Sequence, residues 1–245
     1  MQERIRERLS PDELDSVLRD HRRWLESEGT HGRRGDLEHL DLSGRDLFGA
    51  VLTKAILKDV DLSHANLRTS DLRHANLQGC RISQAHMQWS ILIGAALEQC
   101  DLTRTNLQFV EFSDSRLADV DFAGAFFHNA YFRNAVLRRA NLSSANLRFS
   151  TWNSADLFQV KFTASTIQLA DFCHAKLRET DFRNAEIFNS DFTGADLSGA
   201  DFTGAKLERV NFMESRFDPE CFKGAFCSDC SFDHRSSRAQ APSVM

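Results

Sequence analysis

The sequence predicts an all-β solenoid, in which the chain winds into a four-sided parallel β-helix of about ten coils behind an N-terminal α-helical cap. Three observations predict it. A large apolar residue recurs at every fifth position from Leu37 to Phe232 without an insertion, a small residue precedes it by two positions over most of the array, and residue types repeat again after twenty. Helices and strands have periods of about 3.6 and 2, so neither buries every fifth residue.

An amphipathic helix is predicted ahead of the array, within residues 1–34, which we assign as a helical cap and linker. Ser10 precedes Pro11 at the first helical position, Glu13 completes a capping box, and Gly29 is placed to end the helix. An open end of a solenoid exposes core and unpaired strand edge, so we interpret the helix as a lid on the first coil; a partner-binding helix is the alternative. Its apolar face comprises Leu14, Val17, Leu18, His21, Trp24 and Leu25.

Residues 35–234 are expected to form the β-helix. In each five-residue unit the large residue fills the tube, the small residue lets the chain turn close to the axis, and three residues face water. From Ala50 to Ser215 the small residue is always Ala, Ser, Val, Cys or Thr. Four units would make a coil of twenty residues, and stacked coils would pair as parallel strands about 4.8 Å apart. The backbone hydrogen bonds then run between coils.

Grouping the array by twenty residues supports four sides. We number the coils from residues 35–54 onward and name the sides one to four after the central residues Leu37, Leu42, Leu47 and Leu52. Leu and Ile dominate the central positions of sides one and three, whereas Phe is concentrated on the opposite sides two and four. A three-sided β-helix would not segregate residue types with this period.

The two ends of the array depart from the pattern. Leu40 and Arg45 occupy small inward positions in coil one, and Glu220 does so in coil ten. Burying such charges is costly, so we expect the first and last coils to be distorted or open. Residues 235–245 are polar and basic and are expected to form a disordered tail.

The units, such as the run ADLSG at residues 195–199, resemble those of the pentapeptide-repeat family, whose motif is A(D/N)Lxx. The resemblance covers residues 35–234 and implies a right-handed quadrilateral β-helix, a rod of roughly 45–50 Å for ten coils at strand spacing. The stretch HRRWLESEGTHGRR also resembles a leader that precedes many bacterial pentapeptide arrays. Some family members are quinolone-resistance proteins that mimic DNA and bind gyrase, which implies an acidic rod and, commonly, dimerisation through a C-terminal helix.

Composition narrows the function. A formal net charge of −5 and a pI near 6.0 show no basic bias, so nucleic-acid binding is not expected. No apolar run approaches the length of a membrane span, and the charged N-terminus lacks an apolar signal core, so we expect a cytoplasmic protein.

The sequence carries no catalytic motif, and a solid rod offers no cleft, so we expect neither an enzyme nor a cofactor. Zinc could be bound by a set of residues near the C-terminus, Cys221, Cys227, Cys230 and His234. Because Cys227 and Cys230 fall at inward positions, we expect free thiols and no metal site. One outward column of side two is rich in aspartate, which we expect to hydrogen-bond the local turn backbone. This column comprises Asp41, Asp61, Asp101, Asp121, Asp181 and Asp201.

An outward column of apolar residues on side three is the candidate interaction surface. Side three is the least charged side, and a column of exposed apolar residues is typical of an interface, although tolerated surface apolarity is the alternative. The column comprises Trp89, Phe109, Phe149 and Leu169, with Phe126 on the same side and Ile91, Ile93 and Tyr131 around the corner on side four.

The sequence therefore predicts a non-enzymatic protein-interaction or scaffold module that binds a protein partner. A homodimer through the aromatic column or the C-terminal coil is one form that this could take. The alternative function is a gyrase-binding DNA mimic, for which the sequence has only a mild acidic excess and no C-terminal helix signal.

Overall fold

The computed structural model describes residues 6–233, which form one helix followed by a stack of parallel coils. Parallel bridges join the residue before a central position to its equivalent twenty positions later, from Asp36–Ile56 to Asn211–Ser231. This register confirms the quadrilateral β-helix. On side three, the last four coils extend into a parallel sheet of order β1–β2–β3–β4. The elements are α1 (Pro11–Glu26), β1 (Thr166–Gln168), β2 (Glu186–Phe188), β3 (Lys206–Glu208), a 3-10 helix (Pro219–Phe222) and β4 (Phe226–Ser228).

In the unit Asp61–Ala65, every backbone N–H has an acceptor. The first, second and fourth N–H groups donate to carbonyls of neighbouring coils at 2.6–3.0 Å. The third, of Ser63, donates to Asp61 Oδ1 at 3.0 Å, and the fifth, of Ala65, donates to the Leu62 carbonyl at 3.0 Å. A narrow tube of this kind is stable because no buried donor is left unpaired.

Each turn requires a left-handed residue two positions after the central one. His74 has φ 57° and Gly94 has φ 65°. The His74 ring leans over the next coil, and a Cβ on Gly94 would come within 2.5 Å of its Nδ1 atom. The same pairing recurs between His174 and Gly194. Side chains at this position therefore contact the residue twenty positions later, a direction that matters on side three.

The core is a set of aromatic and aliphatic ladders. Phe162 and Phe182 on side two stack with centroids 5.0 Å apart and planes 5° apart, and Phe172 on side four meets Phe162 edge-on at 5.9 Å. Trp152 lies within the side-four ladder and donates from Nε1 to Ser150 Oγ at 2.7 Å. The predicted segregation of Phe to two opposite sides thus gives parallel stacks within a side and edge contacts between sides.

The helix α1 begins as predicted but ends differently. Ser10 and Glu13 form the capping box. At the C-terminus, Glu28 takes the left-handed conformation with φ 51°, and the Gly29 N–H donates to the Trp24 carbonyl at 2.8 Å. The prediction that Gly29 ends the helix was therefore wrong by one position, because Glu28 fills the site that glycine usually takes in this C-terminal motif.

Coil one is regular, contrary to the expectation drawn from Arg45 and Leu40. The N-terminal segment adds a further strand pair above it, since Glu7 bridges to Leu40 and the Asp41 N–H donates to the Glu7 carbonyl at 2.8 Å. Arg45 is half-buried and donates from Nη2 to the Leu9 carbonyl. The charged side chain thus turns out of the tube toward the N-terminal segment, so the coil need not open.

The helix packs over this end of the tube, as a lid would. Leu14 is part of the buried core, and Val17 and Leu18 pack against it. His21 is fully buried and accepts a hydrogen bond from the Gly35 N–H at 2.9 Å. Burial lowers the pKa of His21, so the helix docks with a neutral imidazole.

Coil ten is irregular, as predicted. The 3-10 helix at Pro219–Phe222 replaces the corner that would have buried Glu220, which is exposed. The Gly204 N–H consequently donates to Gly224, one residue beyond the regular partner. The predicted tail at residues 235–245 lies outside the described residues.

We predict that Ala125→Arg abolishes soluble folding. Ala125 is fully buried at an inward corner in coil five, and the guanidinium would enter a packed, dry core. Ala123→Arg is the matched control, because Ala123 lies outward two residues earlier. Thermal melting of both variants checks this. An Ala125→Arg protein that melts within a few degrees of the wild type would contradict the assignment of inside and outside.

We predict that removal of residues 1–30 causes end-to-end aggregation. The deletion removes both the Glu7 strand pair and the α1 lid, and an unpaired parallel edge templates strand addition. Light scattering across a concentration series would show growth of the truncated protein but not of the full chain. A truncated protein that stays monomeric and melts like the full chain would refute the lid.

Candidate interaction surface

The aromatic column of side three forms a continuous strip of ring contacts. Trp89 and Phe109 stack with centroids 3.9 Å apart and planes 3° apart. His128 then meets Phe109 edge-on at 5.9 Å and Phe149 edge-on at 5.0 Å. We call Trp89, Phe109, His128, Phe149 and Leu169 the aromatic strip. His128 is not among the residues predicted from the sequence; it lies one residue before Asn129, the polar residue of the aromatic column.

The backbone under the strip is unfavourable for its side chains. Trp89, Phe109, Phe149 and Leu169 have φ of 64°, 57°, 57° and 53°. Left-handed backbone suits Gly and Asn and costs other residues of the order of 1–3 kcal/mol. Among the described residues, these four are the large apolar side chains at positive φ, and all of them lie on side three. The fold would accept a small or polar residue at each position.

The strip is not compensated by burial. Trp89 is 58% exposed and Leu169 is 46% exposed, whereas Phe109 is half-buried beneath the Trp89 ring. Phe126, on the same side in coil five, is 50% exposed. With Phe149, which is 40% exposed, four apolar side chains of side three are exposed over coils three to seven.

The structure separates the other predicted site residues from the strip. Ile91 and Tyr131 lie on side four and are both exposed, but Glu111 bridges to each of them and stands between them. Ile93 is half-buried on the same side. The candidate surface is therefore side three, with these three residues beyond its corner.

Side three is almost uncharged where the strip lies. Over coils three to seven its one formally charged side chain is Arg148, whose guanidinium carbon lies 6.0 Å from the centre of the Phe149 ring. The remaining outward residues of these coils are Asn, Gln, His and Thr besides the apolar ones. Depletion of charge around aromatic residues is typical of the centre of a protein interface.

The aspartate column of side two has the structural role predicted for it. Each of its six carboxylates accepts a hydrogen bond from the N–H two residues later, at 2.8–3.0 Å. Hydrogen bonds from Ser43 lower the pKa of Asp41 below its ordinary value. Such a carboxylate supports its turn above the unfolded pKa of about 3.9, and the support is lost as the pH falls through the folded pKa.

The C-terminal cysteines lie at the open end of the tube. Cys227 and Cys230 point inward but remain half-buried, and a hydrogen bond from the Cys227 thiol lowers the pKa of Cys230 to about 7. Burial raises the pKa of Cys221 to about 12. Within residues 6–233, no group of three His, Cys, Asp or Glu side chains is placed to hold a metal ion. His234, the fourth residue of the zinc hypothesis, lies outside the described residues.

Sequence and structure comparisons agree with this architecture. The family model for pentapeptide repeats matches in eight copies, over residues 46–84, 80–117, 115–148, 155–194 and 187–218. The chain belongs to the pentapeptide-repeat family. A search of curated protein sequences gave no significant match. Among the described residues of this pentapeptide-repeat protein, no helix has the length and apolarity that a bilayer crossing requires.

The fold is similar to that of a solved pentapeptide-repeat protein. HetL from the cyanobacterium Nostoc sp. strain PCC 7120, which is involved in heterocyst differentiation regulation, is 25% identical, with a TM-score of 0.74 over 80% of this chain and 86% of that chain. Trypsin-treated QnrB1, a plasmid-mediated fluoroquinolone resistance protein, is 17% identical, with a TM-score of 0.42 over 86% and 97% of the two chains. The likeness to HetL extends along most of the rod.

We predict that Leu169→Asn leaves the free energy of unfolding unchanged or raises it by up to about 1 kcal/mol, because Asn tolerates left-handed backbone better than Leu. Ile167→Asn, two residues earlier at a fully buried position, should destabilise the protein strongly. Chemical denaturation compares the two variants. A marked loss of stability in Leu169→Asn would show that Leu169 supports the fold, and would remove it from the surface.

Proposed function

We propose that this pentapeptide-repeat rod is a non-enzymatic protein-interaction module that binds a protein partner through the aromatic strip on side three. One observation carries the proposal: the large apolar side chains that stand on left-handed backbone all lie on this side, and most of them are exposed. A fold that gains no core from these residues has no structural use for them. Burial against a partner would recover their cost.

The energetics suit a weak to moderate interface. Burying an exposed side chain of this size contributes about 1.5–3 kcal/mol, part of which is lost to the entropy of association. Trp89 and Phe109 form a rigid stack before binding, so little rotamer freedom remains to be lost. Aromatic anchors within an uncharged surround also have the composition of binding hot spots.

The carboxylates support a binding role over a catalytic one. The carboxylates of the aspartate column would be the source of any acid–base chemistry. Every one of them accepts a hydrogen bond from the backbone of its own turn. Family members are generally structural or interaction modules. Both facts favour a function exerted by the surface as a whole.

Charge pairing also disfavours the DNA-mimic alternative. Arginine side chains neutralise carboxylates along the rod and interrupt the continuous negative surface that a DNA mimic needs. These contacts, at 2.6–2.7 Å, are Arg81–Asp61, Arg116–Glu98, Arg138–Asp156, Arg139–Asp119 and Arg183–Asp181.

We predict that Trp89→Ser with Phe109→Ser abolishes partner capture while leaving the melting temperature nearly unchanged, because neither side chain is part of the core. Tagged full-length protein is used to capture binding proteins from the host lysate and untagged copies of itself. The matched control is Met213→Ser with Tyr131→Ser, which removes two exposed apolar side chains on side four, away from the strip.

The proposal requires that a captured protein is lost from the strip variant, is retained by the control variant, and binds again as a purified component. Loss only from the control would instead point to side four, where Met213 and Tyr131 lie. Equal capture by all three proteins would show that the strip is tolerated surface apolarity.

A further inference from the structure

We propose that the partner on side three is a second copy of this chain, with the two rods antiparallel around a two-fold axis that passes through coil five. The inference rests on the proposed function of the aromatic strip and adds the identity and register of the partner.

The register between coils determines which residues an antiparallel pair would bring into contact. Backbone bridges pair residues twenty apart, so side three presents three outward columns. These columns lie one residue before, one after and two after each central residue. An isologous interface brings the same patch of both copies together. With the axis in the interface and perpendicular to the rods, each column faces itself, and coil n faces coil ten minus n of the second copy. Coil five faces coil five.

The strip column is symmetric about this axis. It reads Trp89, Phe109, Asn129, Phe149, Leu169 over coils three to seven, with large apolar residues one and two coils to either side of the polar one. Antiparallel pairing therefore sets Phe109 against Phe149 of the second copy, and Trp89 against Leu169. Apolar surface meets apolar surface over all four positions.

The other two columns are equally self-complementary near the axis. Phe126 faces its own copy, and it is 50% exposed in the single chain. Asn106 faces Asn146 of the second copy, and Gln88 faces Gln168. Side-chain amides both donate and accept, so each like pair can form hydrogen bonds across the interface. No formal charge has to be buried opposite an apolar residue of the strip.

The charges farther from the axis select the antiparallel arrangement. Asp46 of coil one faces Lys206 of coil nine in the same column, and both are exposed. In coils two and eight, Arg68 and Glu186 occupy different columns, so Arg68 faces Phe188 and Glu186 faces Asn66. Parallel rods would instead place each coil against itself and bring Arg148 close to Arg148. The Asp46–Lys206 pair thus favours the antiparallel arrangement, and the approach of two Arg148 side chains disfavours the parallel one.

The ends of the rods are compatible with the same register. Coil ten of the second copy faces the end where α1 lies, and there a cavity of about 280 Å³ is lined by residues that include Leu18, Arg19, Arg22 and Phe48. Coil ten brings exposed Phe226 and Asp229 to this end. The same cavity is also lined by Asp15 and Asp46, so Phe226 and Asp229 face a surface that is partly apolar and carries both signs of charge.

Cysteine cross-linking of the full-length protein tests the register. Asn129→Cys places a thiol on the axis, and a short bis-maleimide should link two copies about tenfold faster than in the control, because the two thiols are held close together. The matched control is Asn189→Cys, the same residue type in the same column with φ 50°. Asn189→Cys alone should not cross-link faster than the wild type, whose rate measures the reaction of the native cysteines.

A mixture of two cysteine variants provides the decisive test. Coil eight faces coil two, so Asn189→Cys mixed with Thr69→Cys should give a cross-linked pair that contains one chain of each. Introducing Trp89→Ser and Phe109→Ser into either partner should abolish this product. The double variant also serves as the reference for sedimentation, in which the wild type is expected to be a dimer.

Three results would overturn the inference: a wild type that stays monomeric throughout a concentration series, cross-linking of Asn189→Cys with itself as parallel rods require, or an Asn129→Cys rate equal to that of Asn189→Cys. If another protein is still captured through the strip in these circumstances, the proposed function stands and the second copy is wrong as its partner. If strip substitution changes neither capture nor cross-linking, both fail.

Discussion

The hydrogen bonds between successive coils are the interaction on which the rest of this structure depends. A unit such as Asp61–Ala65 uses three N–H groups to bind neighbouring coils and satisfies the other two within its own turn. Because the pairing always joins residues twenty apart, the register admits no insertion. Columns of equivalent residues follow from this, and a surface patch on this protein is built from positions that are distant in sequence but adjacent along the rod.

The turns impose a second constraint, since the residue two positions after each centre must be left-handed. Gly, Asn and Asp meet this requirement with little strain, and many units use them. The residues of the aromatic column, in contrast, place large apolar side chains at positions where the backbone favours Gly, Asn or Asp. A position at which local conformation and residue type disagree is expected at functional sites, because selection there acts on something other than the fold.

Most of the fold follows from periodicity, whereas the exceptions depend on contacts that periodicity does not contain. The five-residue frame predicts the inward residues, the four sides and the turn role of the aspartates. It could not predict that Arg45 finds the Leu9 carbonyl, because that contact needs the path of the N-terminal segment. His128 was missed for a related reason: its place between two rings depends on side-chain orientation across coils. Glu28 shows that a C-terminal helix motif tolerates a residue other than glycine when its hydrogen bonds form.

The direction of the inter-coil hydrogen bonds also determines how the rod resists force. These bonds lie along the rod axis, so tension applied to the two ends loads one coil at a time and opens its bonds in sequence instead of shearing many together. Each step releases twenty residues, or roughly 65–70 Å of extended chain. Unwinding from the C-terminal end would also separate the stacked phenylalanines of sides two and four, coil by coil.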